Sequence, residues 1–478
     1  MSLSRRVTGG AVWQLGARLF SASVMFVVTA VVLARTLPEA EYGRFHFHLT
    51  LYLLVTSLVD FGVNRAAIRM VAAGEAARGA ALAAAVRLKL LVGALGFVAM
   101  AGVALLVEPD GASRLLLVIA AAHALAHGCG AASIGFEVDV RYRAPATSSL
   151  VGQSLFLVAG LALAAAGVRS AAPYLLAWAA GLTLQNLKLY AAARARGDVG
   201  GEVDRELLVR LAREAAPLGL SAIAVAIYYY SDTLMLRPFR GEEEVARYST
   251  AYRLMTFGLM TPVLFSQVVF PVFTRCRQRS SELLREVVRA SAFYLALLGA
   301  LGGAVLGGLA PELLEAVYGA TYRGAAPVLE VLAVAMVCVH LTYPHTTALI
   351  ASGHAADFTR ITAVAAALNV GANLVVLPRY GAEGAAATTL GTEAFVLVAG
   401  VVLARRRTGV TGLSGRLLGP AALAALLVVL LRGPLAGWHW AAAMAAAVAL
   451  AAGAAVLLGA FPFRLGVDEE HLAVEEVE

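Results

Sequence analysis

The chain has 478 residues, of which 60% are hydrophobic and only 14% are charged. Soluble globular chains carry about 25% charged residues, so this composition excludes a water-soluble protein with an ordinary core. The formal net charge of +7 would suit a partner of nucleic acids, but the basic residues form no single patch in the sequence and no nucleic-acid partner is expected.

Apolar segments recur along the chain, and about 20 apolar residues cross the hydrocarbon core of a bilayer as a helix. They predict an all-α, polytopic membrane protein with about fourteen transmembrane helices. We place the spans near residues 11–34, 45–66, 83–107, 115–136, 147–167, 171–193, 214–236, 247–272, 290–310, 325–350, 359–377, 382–404, 415–432 and 440–461.

The Arg residues predict the orientation of these spans, because cytoplasmic connections carry an excess of positive charge. They are concentrated in the two tails and in the even-numbered connections. This distribution predicts that both termini are cytoplasmic and that the number of spans is even. For a polytopic helical protein of this kind we expect the cytoplasmic (inner) membrane. Residues 465–478 are expected to form an acidic cytoplasmic tail.

A weak internal repeat relates the two halves of the chain. Residues 33–45 (LARTLPEAEYGRF) and 235–248 (MLRPFRGEEEVARY) each place an Arg at the end of an odd-numbered span, then an acidic turn. Each segment then has an Arg and an aromatic residue at the start of the next span, with Arg44 corresponding to Arg247. Duplication is typical of secondary transporters, whose substrate site lies between the repeats.

No motif in the chain is typical of an enzyme. A P-loop needs Gly-Lys-Ser or Gly-Lys-Thr, and neither occurs. Glu137 and Asp139 could hold a metal ion, but their connection is short and lacks a pocket-forming domain. Arg141 and Arg143 can neutralise both acids, so we favour a structural role for them over a catalytic one. No cofactor is predicted.

His123 and His127 lie four residues apart on the fourth predicted span and therefore share one face of the helix. This spacing can bind zinc, but two ligands do not complete a metal site. We favour a structural or cavity-lining pair, and no metal site is predicted.

Charged side chains inside the predicted spans indicate where a substrate would bind. A charge at the centre of a transmembrane helix costs about 2.5–3.5 kcal/mol on the insertion scale, and such charges usually face a cavity or a partner. Arg18 lies about two turns into the first span, and Arg253 lies about two turns into the eighth. Asp60 and Arg65 lie on the second span, and Asp232 lies on the seventh.

Alternative roles exist for several of these charges. Arg65, together with Arg87 and Lys89, can snorkel to the cytoplasmic surface, which is the interpretation we favour for these three. For Asp232, the alternative to a cavity role is an ion pair with a nearby arginine, Arg237 or Arg253.

The sign of the buried charge points to the class of substrate. Arginines in a cavity suit an anion, because a guanidinium matches a phosphate with two parallel hydrogen bonds. A cation exporter would place acids in the cavity, and the best placed acids are Asp60 and Glu393.

Several short motifs occur in a fixed order along the chain. They are VLAR at residues 32–35, EYGRF at 41–45, DFG at 60–62, EAVYGATY at 315–322, and the segment from ALNVGAN to YGAEGAAAT at 367–388. In order and spacing, the chain resembles the polysaccharide (O-antigen type) flippases of the MATE/flippase superfamily. The motifs extend from the first to the twelfth predicted span.

The resemblance implies two six-helix bundles around a central cavity, over residues 1–200 and 201–408, with two additional helices over 409–464. It implies alternating access without ATP hydrolysis. It also implies that a polyprenyl-(pyro)phosphate-linked oligosaccharide is flipped to the outer leaflet, with Arg18 and Arg253 lining the cavity. A polysaccharide polymerase machinery and a coupling ion are possible partners, beside membrane lipid.

Other functions predict different critical residues. A cation-coupled small-molecule (MATE-like) exporter of the same fold would depend more on Asp60 or Asp232 than on Arg18 and Arg253. A membrane-bound polymerase or glycosyltransferase would need a large outer loop or an acidic metal site, and the sequence has neither. A purely structural partner of an assembly machine would tolerate loss of the arginines.

Overall fold

The computed structural model of the chain describes residues 3–106 and 111–458, and these residues form helices without any β-strand. The predicted acidic tail, residues 465–478, lies outside the described residues. The chain divides into two compact units. The first unit extends to Arg237 and includes Gly241–Ala246, and the second contains Pro238–Arg240 and the chain from Arg247.

The first unit opens with a helix that continues through a π-helical segment, and it ends in a long bent helix. Its helices are α1 (Leu3–Phe26), the π-helix Val27–Leu33, α2 (Ala34–Thr36), α3 (Glu39–Asp60), α4 (Val63–Ala72), α5 (Arg78–Leu106), α6 (Gly111–His127), the 3-10 helix Gly128–Ala132, α7 (Ser133–Val138), α8 (Arg143–Ala165), α9 (Ala171–Ala195) and α10 (Arg205–Arg240), the last up to Arg237.

Apart from Pro238–Arg240 at the end of α10, the second unit starts at Arg247, within α11. Its helices are α11 (Glu242–Gly258), α12 (Met260–Arg279), α13 (Ser281–Gly308), α14 (Ala310–Tyr318), the 3-10 helix Ala320–Ala325, α15 (Ala326–Ala351), α16 (Ala355–Thr408), the 3-10 helix Gly415–Leu417, α17 (Leu418–Arg432) and α18 (Trp440–Leu457). Leu427, Leu431 and Ala447 contribute to a core in which α13, α17 and α18 pack together.

Within the described ranges, eleven helices are long and apolar enough to span a membrane, or twelve if the bent helix α10 counts as one span. This result confirms the polytopic all-α class, and two features account for the larger number predicted. Helix α16 joins the predicted spans 359–377 and 382–404 through a kink at Gly381, where φ is 53° and ψ is −132°. Helix α9 forms over the predicted sixth span, but its Gln, Asn and Lys side chains lower its hydropathy.

The second predicted span is broken at the Asp-Phe-Gly sequence, residues 60–62. Phe61 and Gly62 both have left-handed backbone conformations, with φ of 36° and 70°, which end α3 and start α4. A Cβ on Gly62 would lie 2.6 Å from the Cβ of Leu218, and one on Gly219 would lie 2.5 Å from the ring of Phe61. The bend of about 40° in α10 therefore lies next to the break in the second span.

The motif at residues 41–45 makes a close backbone contact within the first unit. A Cβ on Gly43 would lie 1.8 Å from the carbonyl oxygen of Glu242, so only glycine fits between α3 and the start of α11. Glu41 accepts a hydrogen bond from the backbone N–H of Ala171 at 2.7 Å and pairs with Arg44 at 2.6 Å. The motif therefore holds three segments of the unit together.

Gly43→Ala is expected to lower the free energy of unfolding by about 2 kcal/mol or more, because backbone must move to admit the methyl group. Thermal unfolding of the purified protein in detergent checks this. Gly371→Ala in α16 is the matched control, because nothing lies within 4 Å of its added Cβ and alanine favours a helix. Equal stability of Gly43→Ala and wild type would contradict the proposed close contact.

Candidate functional site

Arg18 lies on α1 and lines a cavity of about 330 Å³ within the first unit. Gln14, Arg18 and Ser21 are spaced by three or four residues, so they share one face of α1. The opposite wall comes from the segment around Glu137 and the first turns of α8. The polar lining residues are Gln14, Arg18, Ser21, Glu137, Tyr142 and Ser149.

The guanidinium of Arg18 is available to a ligand. In the part of the chain that the structure describes, no carboxylate lies within ion-pair distance of Arg18, although Glu137 lines the same cavity. The hydroxyls of Ser21 and Ser149 hydrogen-bond to each other at 2.9 Å in the wall. A cation without a partner beside hydroxyl groups is suited to a phosphate.

A second cavity of about 420 Å³ adjoins the first at Ser21, which lines both. The rings of Tyr52 and Trp178 meet edge to face with centroids 4.5 Å apart, and the ring of His123 lies 5.1 Å from that of Tyr52. Amide side chains complete the wall. Among the aromatic, imidazole and amide side chains that line this cavity are those of Tyr52, His123, Gln153, Trp178, Gln185 and Asn186.

Asp60 is part of an ion pair. Its carboxylate accepts a hydrogen bond from Lys89 at 2.5 Å, and the side chain of Lys89 is only 1% exposed. The expectation that Lys89 snorkels to the surface is therefore wrong, because Asp60 balances its charge inside the first unit. His127, on the wall of the second cavity, is close enough to interact electrostatically with both.

Two predicted site residues lie away from these cavities. Arg65 is on α4 and is exposed, whereas Asp232 is on α10 and is 3% exposed. Neither lines the two cavities described above. The first unit therefore brings together Arg18 with cavity-lining polar groups, but not with Asp60, Arg65 or Asp232.

Arg253 lies on α11 of the second unit and is half-buried. It lies close enough to interact electrostatically with the phenol of Tyr318, a buried residue at the end of α14. Tyr318 belongs to the motif at 315–322, where Gly319 turns the chain with a φ of 106°. The acid noted in the twelfth predicted span, Glu393, is 7% exposed in α16.

Asp139 belongs to a network of ion pairs between three connections of the first unit. Arg78 and Arg196 each approach its carboxylate to 2.5 Å, and Arg196 also pairs with Asp198 at 3.2 Å. The predicted partners Arg141 and Arg143 are not the ones that neutralise Asp139. Sequence proximity misled the prediction, because the true partners are brought in by the ends of α5 and α9.

Partial burial raises the pKa of the Asp139 carboxyl, but the hydrogen bonds and charges of Arg78 and Arg196 outweigh it and hold the pKa below the ordinary value. The stability that Asp139 contributes is therefore present at neutral pH. It is lost only as the pH falls below about 4.

Asp139→Asn is accordingly expected to lower the unfolding temperature by a nearly constant amount from pH 7 to about pH 5, with the difference shrinking below about pH 4. Thermal unfolding of wild type and variant across this range checks the sign. A difference that grows on acidification would contradict the assigned role of the two arginines.

Sequence reasoning missed most of the second cavity. Gln153, Gln185 and Asn186 are strongly polar residues inside predicted spans, and that signal was available in the sequence. Among the described residues, no three His, Cys, Asp or Glu side chains are grouped as a metal site would require. His123 instead hydrogen-bonds through Nδ1 to Thr183 at 2.6 Å.

A family model described as polysaccharide biosynthesis protein matches residues 8–277, which is more than half of the chain. The chain belongs to this polysaccharide biosynthesis family. The match confirms the resemblance to the polysaccharide flippases, and it covers both cavities, Arg18 and Arg253. No curated protein sequence matches the chain.

Solved structures of membrane transporters share the fold of this family member. The lipid II flippase MurJ in an inward closed conformation aligns with a TM-score of 0.73 at 9% identity, over 94% of this chain and 97% of that one. An inward-facing multidrug resistance MATE family transporter of the MOP superfamily aligns with a TM-score of 0.66 at 15% identity, over 82% and 94%. A MOP superfamily transporter from Pyrococcus furiosus has a TM-score of 0.56 at 15% identity, over 85% and 94%. At these identities the similarity establishes the fold alone.

Proposed function

We propose that this protein flips a polyprenyl-(pyro)phosphate-linked oligosaccharide across the cytoplasmic membrane by alternating access, for the biosynthesis of a surface polysaccharide. The observation that carries the proposal is the guanidinium of Arg18, which has no ion-pair partner among the described residues and lines a polar cavity within the segment that matches the polysaccharide biosynthesis family. We infer no catalytic step, and the chain acts as a transporter.

The residues of the first cavity suit the transport of a charged head group across the membrane. Hydrocarbon rejects a charged saccharide head group, so a flippase must replace the lost solvation along the path. Arg18 supplies two parallel donors for a phosphate, and cavity hydroxyls supply further hydrogen bonds. We keep Arg253, Arg65 and Asp232 as candidate residues of the transport path.

The family and the fold are those of flippases and transporters, and the chain is a multi-span membrane protein. We propose the orientation with both termini cytoplasmic, from the distribution of Arg residues. We also propose the organisation into bundles over 1–200 and 201–408 with additional helices over 409–464. A polymerase machinery and a coupling ion are proposed partners.

The second candidate function is a cation-coupled small-molecule exporter, which the similarity to MATE transporters favours. That function needs an intramembrane acid free to exchange a cation. Asp60 is engaged by the buried Lys89, which weakens this alternative. The rival predicts that loss of Asp60 or Asp232 affects transport more than loss of Arg18.

A deletion strain tests the proposal. Lipid extracts are examined by mass spectrometry for polyprenyl-linked saccharides, and the cell surface is stained for glycan. Accumulated lipid-linked saccharide together with lost surface glycan, both restored by the wild-type gene, is the expected result. Unchanged lipid intermediates and glycan in a strain without a second flippase would refute it and favour the exporter.

A further inference from the structure

We propose that the second cavity of the first unit, beside Trp178, Gln153 and Gln185, is a binding subsite for the saccharide head group. This inference deepens the proposed function and rests on it. The lipid-linked phosphate would bind at Arg18, and the sugar would occupy the adjoining cavity.

Unpaired hydrogen-bond acceptors are the main observation. In the described part of the chain, the carboxamide oxygens of Gln153 and Gln185 and the Nε2 atom of His123 are buried without a hydrogen-bond partner. Gln153 is 9% exposed and His123 is 3% exposed, and all three residues line the cavity. A buried polar group without a partner is costly, so such a group implies a ligand or water that completes it.

The tautomer of His123 follows from its neighbour. The hydroxyl of Thr183 donates to the carbonyl of Ala179 at 2.8 Å, so it accepts from Nδ1–H of His123 at 2.6 Å. Nε2 of the neutral ring is then an acceptor. All three unpaired atoms are acceptors, and they call for a ligand with several O–H or N–H donors.

The shape and charge of the cavity narrow the class of ligand. No Asp, Glu, Lys or Arg belongs to its described lining, which argues against a phosphate or an inorganic cation at this position. Tyr52 and Trp178 present aromatic surface beside the acceptors. A pyranose ring offers both an apolar face and a rim of hydroxyl donors, and it matches this combination.

The backbone holds the two glutamines in place. Helices α8 and α9 approach so closely that a Cβ on Gly152 would lie 2.4 Å from the carbonyl oxygen of Gly181 and 2.9 Å from the Cβ of Gln185. Gln153 follows Gly152, and Gln185 lies one turn beyond Gly181. The glycine contact therefore sets the backbone positions of both glutamines where α8 and α9 cross.

The two cavities are arranged for one ligand that has an anionic and a saccharide part. Ser21 lines both, and Arg18 and Met25 lie on either side of it along α1. Met25 lies seven positions beyond Arg18 in the helix, which corresponds to about 10 Å along the axis. A diphosphate next to the first sugar is suited to this spacing.

The test measures binding to the purified full-length protein in detergent with two probes. One probe is polyprenyl diphosphate without sugar, and the other is the polyprenyl-linked saccharide purified from the deletion strain. Gln153→Met with Gln185→Met removes both carboxamides with little change in volume. Gln267→Met, at an exposed glutamine of α12, is the matched control.

The double variant is expected to bind the saccharide probe at least about tenfold more weakly, while its affinity for polyprenyl diphosphate stays that of wild type. Its unfolding temperature should not fall, because neither carboxamide oxygen has a hydrogen-bond partner among the residues that the structure describes. Arg18→Ala is expected to weaken both probes. Unchanged binding of the saccharide probe by the double variant overturns the subsite.

Three other outcomes are decisive. If the double variant does not fold, Trp178→Phe takes its place. Weaker binding of the saccharide probe by this variant, with unchanged affinity for polyprenyl diphosphate, supports the subsite. Affinities equal to those of wild type for both probes overturn it. If wild type binds polyprenyl diphosphate but gains no affinity from the sugar, only the subsite fails. If wild type binds neither probe, the proposed function fails with it.

Discussion

Arg18→Ala is expected to lower surface glycan in the complemented deletion strain by about tenfold or more, with lipid-linked saccharide retained in the membrane. The reason is the loss of the Arg18 guanidinium from the 330 Å³ cavity, where we propose that it pairs with the substrate phosphate through charged hydrogen bonds. Arg18→Lys keeps the charge but loses the two parallel donors, so an intermediate defect is expected. Glycan staining and mass spectrometry of lipid extracts provide the measurement.

Arg169→Ala is the control, because Arg169 lies in the connection between α8 and α9 and lines neither of the two cavities. It should support glycan export as wild type does, at equal protein abundance in the membrane. Full export by Arg18→Ala would show that the cavity arginine does not bind the substrate. The exporter alternative would then gain support if Asp60 or Asp232 variants lost activity instead.

Asp60→Asn is expected to destabilise the fold by about 2 kcal/mol, because it leaves the ammonium of Lys89 buried without a countercharge. Breaking a fully buried pair typically costs about 3–5 kcal/mol, and the 44% exposure of Asp60 lowers the expected value. Thermal unfolding in detergent, followed by labelling of the buried thiol of Cys276, provides the measurement.

The double variant Asp60→Asn with Lys89→Met should recover most of the loss, because no unpaired charge then remains. Glu282→Gln is the control, since its pair with Arg285 spans one helical turn and Glu282 is 63% exposed. It should cost less than about 1 kcal/mol. A double variant as unstable as Asp60→Asn alone would show that the lysine charge is not the cause.

Hydropathy predicted most of the fold. A membrane span must pair its backbone N–H and C=O groups within the helix and must present mostly apolar side chains, so each span appears in the sequence as a long apolar stretch. Hydropathy does not reveal where a helix breaks within an apolar stretch. Residues 60–62 contain two left-handed conformations inside an apolar stretch, and only their packing against Gly219 reveals why the helix ends there. At Gly381 the sequence did place a boundary between two spans, and the structure has a kink at that residue.

The candidate site was only partly predictable. The cost of a charge in the hydrocarbon singled out Arg18, and the structure places it on a cavity wall. Pairings between distant segments, such as Lys89 with Asp60 or Arg196 with Asp139, depend on tertiary packing that spacing does not encode. The amides of Gln153 and Gln185 carried a polar signal in an apolar span, which charge-based reasoning passed over.

The most direct test of lipid-linked saccharide flipping uses proteoliposomes that contain only the purified protein and the polyprenyl-linked saccharide from the deletion strain. A membrane-impermeant glycosidase outside the vesicles reports how much saccharide reaches the outer leaflet. Wild-type vesicles should expose the saccharide initially held inside, while Arg18→Ala vesicles should leave most of it protected. Wild-type vesicles that protect the saccharide as fully as protein-free vesicles would contradict the proposed function.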